Sequence, residues 1–230
     1  MRILDEQYTR VPFYGVLRMT AYLRRNGFKI NEKRVRRLLR LMGLEAIYTK
    51  PKLSIADEEN KIYPYLLKDL EIVTCNQVWS TDITYVRLLK GFIYLVAIID
   101  LFSRYVLAWE ISTTLENNFC IAALKNALKI GMPDIFNSDQ GSQFTAKNFI
   151  EVLSSNKIKI SMDGRGRVFD NIFTERLWRS VKYEEVYLHD YKSVIEARES
   201  LGKYLKFYNN ERLHQSLNYM TPGEIYFCKK

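Results

Sequence analysis

The spacing of apolar residues changes character once along this chain, and the change limits the folds open to it. Near the N-terminus Val16, Met19, Tyr22 and Leu23 recur at helical spacing and stop at Asn26-Gly27, where glycine suits the left-handed residue that ends a helix. After Phe28-Lys29-Ile30, Asn31 can cap a second helix whose apolar face is Val35, Leu38, Leu39 and Met42, ending at Gly43. From Gln77 the apolar residues gather instead into short runs. Residues 78–86, 91–99, 105–111, 135–138 and 157–161 read as five strands, and residues 117–130, 146–156, about 171–185 and 192–209 as helices. The longest apolar run, Phe92 to Ile99, is far shorter than the roughly 20 residues that cross a bilayer, so it reads as a buried strand.

Three strands, a helix, a strand, a helix, a strand and further helices predict an α/β fold. It is a mixed five-stranded sheet flanked by helices in the ribonuclease H-like order, preceded by a small all-α helix-turn-helix module. The expected boundaries are 1–52 for that module, 53–76 for a linker, 77–187 for the catalytic core and 188–230 for a C-terminal helical extension. The linker reading rests on lost periodicity, on Pro51 and Pro64, and on the polar run Asp57-Glu58-Glu59-Asn60.

Charge separates the same two parts. Of 35 Lys+Arg and 26 Asp+Glu, residues 1–52 hold 13 and 4, so the whole net charge of +9 lies there and the remainder is neutral. A basic module on a neutral body suggests a polyanion, most simply nucleic acid. Lys33, Arg34, Arg36, Arg37 and Arg40 crowd the second helix opposite its apolar stripe, with Glu32 the one acid among them. That composition suits a helix lying against phosphates in a major groove, and the competing reading is a solvated charged face. The first residues turn acidic at Asp5-Glu6 before an apolar stretch develops, so no secretory signal is read, no membrane is expected as a partner, and a cytoplasmic, nucleoid-associated location is expected. Cys75, Cys120, Cys228, His189 and His214 form no CxxC or HxxxH pair, which argues against structural zinc and a disulfide framework.

Three carboxylates carry the chemistry. Asp82 lies mid-strand in Ser80-Thr81-Asp82-Ile83-Thr84, where an unpaired carboxylate is costly to bury and a divalent cation would offset the cost. Asp139 follows the strand Ile135-Phe136-Asn137-Ser138, at the end where open sheets place their sites. Alone, each reads equally as a turn or capping aspartate. Glu175 opens a helix whose polar face continues through Arg179 and Lys182, opposite Phe173, Leu177 and Val181; an exposed Glu-Arg pair is its bland reading.

The segments Asn137-Ser138-Asp139-Gln140-Gly141-Ser142-Gln143-Phe144 and Phe169-Asp170-Asn171-Ile172-Phe173-Thr174-Glu175-Arg176, with 35 residues between Asp139 and Glu175, resemble the integrase-core (DDE) transposases of bacterial insertion sequences. That family shares its core with retroviral integrases. Pro12-Phe13-Tyr14-Gly15, Leu41-Met42-Gly43-Leu44 and Tyr208-Asn209-Asn210-Glu211-Arg212-Leu213-His214-Gln215 resemble its N-terminal and C-terminal signatures, with Leu213 where proline is usual. The resemblance implies a DNA transposase that cuts and joins strands, with Asp82, Asp139 and Glu175 as catalytic and metal-binding residues. It further implies Mg²⁺ or Mn²⁺, two ions per site, because hard cations favour carboxylate oxygens and a metal pair can stabilise both attacking and leaving oxygens. In that arrangement Asp82 bridges the ions, and Lys182 and Arg179 hold DNA phosphates. Element ends and target DNA, a homo-oligomer on DNA and an upstream first-frame DNA-binding protein are the implied partners. Asp100, His214 and Gln215 read as structural. The competing functions are a ribonuclease H-like nuclease, which cuts without joining, and a DNA-binding regulator or inactive remnant. A tyrosine recombinase is excluded because neither histidine lies in the required setting.

Overall fold

The computed structural model describes residues 1–47, 62–164 and 172–228. The chain divides into two compact units, Met1–Ile55 and Ala56–Lys230.

In the first unit three helices, α1 (Arg2–Arg10), α2 (Val16–Arg25) and α3 (Glu32–Leu41), close over Leu4, Met19, Leu23, Val35 and Leu39. Asn31 caps α3 by accepting from the Arg34 N–H at 2.9 Å. Gly27, at φ +86°, reverses the chain after α2, and its N–H and that of Phe28 take the carbonyls of Arg24 and Leu23. Helix α1 was absent from the sequence reading. Its nine residues carry few apolar side chains, and it is held by the packing of Leu4 and by the Tyr8 hydroxyl donating to the Glu45 carbonyl at 2.6 Å. With Val35 and Leu39 buried, Lys33, Arg34, Arg36, Arg37 and Arg40 are all exposed.

The second unit is built on a sheet of β1 (Val78–Arg87), β2 (Phe92–Asp100), β3 (Val106–Ser112), β4 (Ile135–Ser138) and β5 (Lys159–Met162), in the order β3-β2-β1-β4-β5. The first three strands run antiparallel, whereas β4 pairs parallel with β1 and β5 parallel with β4. Helices α4 (Asn118–Ala127), α5 (Ser142–Thr145) and α6 (Lys147–Ser155) belong to the connections on either side of β4; α7 (Ile172–Glu184), α8 (Val194–Asn210) and α9 (Pro222–Phe227) follow the sheet.

Both faces of the sheet are covered, which is why β2 is apolar almost throughout. Ile93, Leu95, Ala97 and Ile99 join a core with Leu177 and Val181 of α7 and Ala197, Leu201 and Tyr204 of α8. Val96 and Ile98 point the other way, into a core with Phe119 and Leu124 of α4 and Phe149 and Leu153 of α6. Strand β5 starts two residues later than the sequence suggested because Lys157, at φ +58°, still belongs to the turn leaving α6. Helix α9, also unforeseen, is closed by a capping box in which Thr221 and Glu224 each accept from the other's backbone N–H. The expected linker lies partly outside the described residues. From Ile62 on, its Leu67, Leu70 and Ile72 pack against the core, and the Leu66 N–H donates to Ser161 Oγ at 3.0 Å.

Two polar clusters brace this unit. Arg212 grips Glu184 through Nε at 2.8 Å and through Nη2 at 2.6 Å, and Tyr204 donates to the same carboxylate at 2.9 Å. His214 packs edge-on against Tyr208, its N–H bonds the Met220 carbonyl, and burial together with Arg212 lowers its pKa to about 4, so it stands neutral in a structural role. Asp100, fully buried, accepts from the Asn76 N–H at 2.7 Å, the Ser103 N–H at 2.8 Å and the Ser103 hydroxyl at 2.6 Å. Asp100→Ala strands these three donors, and leaving buried donors unsatisfied costs about 1–3 kcal/mol each at most. The expected outcome is a fall of roughly 5–10 °C in the unfolding midpoint of this unit, followed by circular dichroism, with Asp100→Asn losing less.

Candidate active site

Asp82 sits in the middle of β1, opposite Ala97 of β2. Alternation along β1 puts Val78, Asp82 and Val86 on the face covered by α7 and Trp79 and Ile83 on the other. The carboxylate is therefore turned towards α7, and the indole Nε1 of Trp178 donates to its Oδ2 at 3.0 Å. Trp178 was not singled out in the sequence, although it lies three residues after Glu175 and so on the same side of the helix.

Parallel pairing of β1 with β4 brings in Asp139. Val78 pairs with Ile135, Trp79 with Phe136 and Ser80 with Asn137, a constant separation of 57 residues that also relates Asp82 to Asp139. Two residues beyond the last of these pairs, the register carried on brings Asp139, just past the end of β4, to the level of Asp82 in the middle of β1. Asp139 leaves β4 into a tight turn, where its Oδ1 accepts from the Gly141 N–H at 2.9 Å. A Cβ on Gly141 would stand 2.9 Å from that same oxygen, so the turn admits only glycine without displacing the carboxylate. The end of β5 braces this turn: buried Asn137 donates to Asp163 Oδ1 at 2.8 Å, and Gln140 Nε2 donates to the Asp163 carbonyl at 2.9 Å. These supports were missed in the sequence because they join residues more than 20 positions apart.

Glu175 lies on the exposed face of α7, in the first turn of the described helix. The adjoining motif residues Phe169, Asp170 and Asn171 lie outside the described residues. Arg179 is exposed and Lys182 partly so, on the same polar face, while Leu177 and Val181 are buried as the sequence pattern required.

Electrostatics couple the three acids. Burial raises the Asp82 pKa to about 6; the Ile83 N–H and Trp178 pull it down, and the charges of Asp139 and Glu175 push it up. Asp139 is exposed as a residue, yet burial around its carboxyl raises its pKa, offset by the Gly141 N–H. Among the described residues none of the three forms an ion pair, and no three such groups converge closely enough to hold an ion in this arrangement.

The mixed five-stranded sheet flanked by helices has the ribonuclease H-like order, and a separate small helical unit precedes it in the chain. Comparisons with known proteins place it further. Models described as integrase core domains match residues 74–167 and 156–222, and one described as an HTH-like domain matches residues 1–52. The transposase for insertion sequence element IS904 of Lactococcus lactis is 31% identical over 221 residues, covering 92% of this chain and 87% of that protein. The putative transposase InsK for insertion sequence element IS150 of Escherichia coli is 31% identical over 216 residues, covering 92% and 76%. The chain belongs to the integrase-core transposases of insertion sequences, polynucleotidyl transferases that act on DNA. Among solved structures, the catalytic core of HTLV-2 integrase in complex with magnesium superposes with a TM-score of 0.55 at 23% identity over 67% of this chain and 98% of that one. A chain of the simian T-cell lymphotropic virus intasome in complex with PP2A regulatory subunit B56 gamma gives 0.62 at 14% identity over 99% of this chain and 75% of that one. Among the described residues no helix is long and apolar enough to cross a membrane.

The raised Asp82 pKa has a consequence for stability. The folded chain holds this proton more tightly than the unfolded chain, so between about pH 4 and pH 6 the metal-free protein loses stability as pH rises. Asp82→Asn removes that cost. In the metal-free protein the variant is expected to be more stable than wild type by about 1–3 kcal/mol at pH 8 and no more stable at pH 4. Urea denaturation at the two pH values checks this; a gain that does not depend on pH would contradict it.

Proposed function

We propose that Asp82, Asp139 and Glu175 are the catalytic and metal-binding carboxylates of this transposase, holding magnesium or manganese, two ions per site. The observation that carries the reading is the β1–β4 register, which aligns Asp139 with a desolvated Asp82 that has no cationic partner among the described residues. An all-oxygen, acidic donor set of this kind fits hard divalent cations and not zinc or copper. Bound there, such ions would activate a water and stabilise charge on the attacking and leaving oxygens of an in-line displacement.

The chain's own residues supply position. The three carboxylates would hold the ions: two paired strands carry Asp82 and Asp139, and α7 carries Glu175. Arg179 and Lys182 continue its face as phosphate holders. Water attack frees a 3′-hydroxyl at the element end, and that hydroxyl then attacks a second DNA strand; no covalent protein intermediate is needed. Lys33, Arg34, Arg36, Arg37 and Arg40, exposed on α3, are the phosphate-facing residues of the N-terminal module. Joining two element ends calls for a homo-oligomer on DNA, and an upstream first-frame DNA-binding protein fits beside it in the cytoplasm.

The test is strand cleavage and joining on candidate element ends with Mg²⁺ or Mn²⁺. Glu175→Gln is expected to lower both by about a hundredfold or more while DNA binding persists. Undiminished activity in the variant would remove the triad, and binding without cleavage in both proteins would favour a regulator.

A further inference from the structure

We propose that Tyr183 and Tyr187 form a stacking platform for unpaired DNA bases beside the cleavage site; this rests on the role given to Glu175 above. The polar face of α7 that starts at Glu175 passes through Arg179 and Lys182 and ends, eight residues on, at Tyr183. Tyr187 follows in the single 3₁₀ turn Val186–Leu188. The two rings meet edge to face with centroids 5.2 Å apart and an interplanar angle of 80°. Tyr183 is 66% exposed and Tyr187 62%, so neither ring is used by the core.

The acids of the same stretch are turned away from this face. Glu184 is held by Arg212 and Tyr204, and Glu185 is buried, accepting from Tyr191 at 2.8 Å and from Ser200. Arg179 and Lys182 have no ion pair among the described residues. The outward stripe is thus two cations leading to two exposed rings. Cations that track a backbone, followed by aromatic faces, are the composition of a single-strand binding groove. A protein-binding surface would be depleted of charge at its centre, which this stripe is not.

Spacing fixes which bases are meant. At 1.5 Å per residue Tyr183 lies about 12 Å along the helix from Glu175, the span of roughly three to four nucleotides at the duplex rise of 3.4 Å and of fewer in an extended single strand. A paired base has its faces covered by its neighbours. Only a strand frayed or single-stranded near the scissile bond can offer a face to these rings.

The test uses the full chain without metal, so that no strand is cut and the outcome is independent of the triad. Anisotropy compares a blunt duplex with the same duplex carrying a short single-stranded extension that contains 2-aminopurine. The extension is expected to tighten binding by about tenfold and to change the 2-aminopurine fluorescence. Tyr183→Ala with Tyr187→Ala should remove both effects and leave blunt-duplex affinity unchanged. Tyr183→Phe with Tyr187→Phe should keep both, since the ring and not the hydroxyl is used. The proposal is overturned if wild type shows no preference for the extension, or if the alanine variant retains it. It is equally overturned if the alanine variant loses the preference only together with a smaller oligomer, which would make the pair a contact between copies. Failure of the triad reading registers separately, as normal cleavage by Glu175→Gln with the extension preference intact.

Discussion

Parallel pairing of β1 with β4 cannot be made by a hairpin, so the chain must leave the sheet, cross it and return before the ladder can form. Much of the second unit follows from that one requirement. The crossover carries α4, which covers one face of the sheet, and the next parallel strand, β5, requires α6 on the same side. The opposite face is left for α7 and α8, which arrive later in the chain and bury a separate core. The same ladder fixes the separation of 57 residues that sets Asp139 beside Asp82. A slip of one residue would turn one of the two carboxylates to the other face.

The site is therefore an electrostatic strain held in place by packing. A carboxylate in mid-strand is desolvated by α7, and one indole N–H from Trp178 offsets only part of the cost, leaving its pKa near 6. Asp139 and Glu175 add like charge and not relief. On the function proposed above a ligand completes this arrangement, and the acidic, oxygen-only character of the group suits a divalent cation. The supports differ in kind: Asp139 is held by a glycine turn and by the end of β5, whereas Glu175 stands exposed on a helix.

Sequence patterns show local order and are silent on distant contacts. Strand β2 was legible because burial on both faces makes it apolar throughout, and the cap and apolar stripe of α3 were legible because both repeat within one turn. Helix α1 was missed because its stability comes from Leu4 packing against α2 and α3 and not from its own pattern. Helix α9 was missed because, although Thr221 and Glu224 form a capping box at its start, its six residues are too few to show periodicity. The acids themselves were visible in their motifs. What could not be read was the bond from Trp178 to Asp82, which spans 96 residues, and the bracing of Asp139 through Asn137 and Asp163. Both depend on which strands become neighbours, and that is decided by the fold as a whole.

The central claim is that this strand pairing builds a carboxylate site for divalent metal. Counting bound Mn²⁺ by electron paramagnetic resonance, with the full chain on a duplex of the element's end, tests it most directly. The account predicts about two ions per chain for wild type and their loss in Asp82→Asn, with the sheet still folded by circular dichroism. Equal Mn²⁺ occupancy in wild type and Asp82→Asn would contradict it.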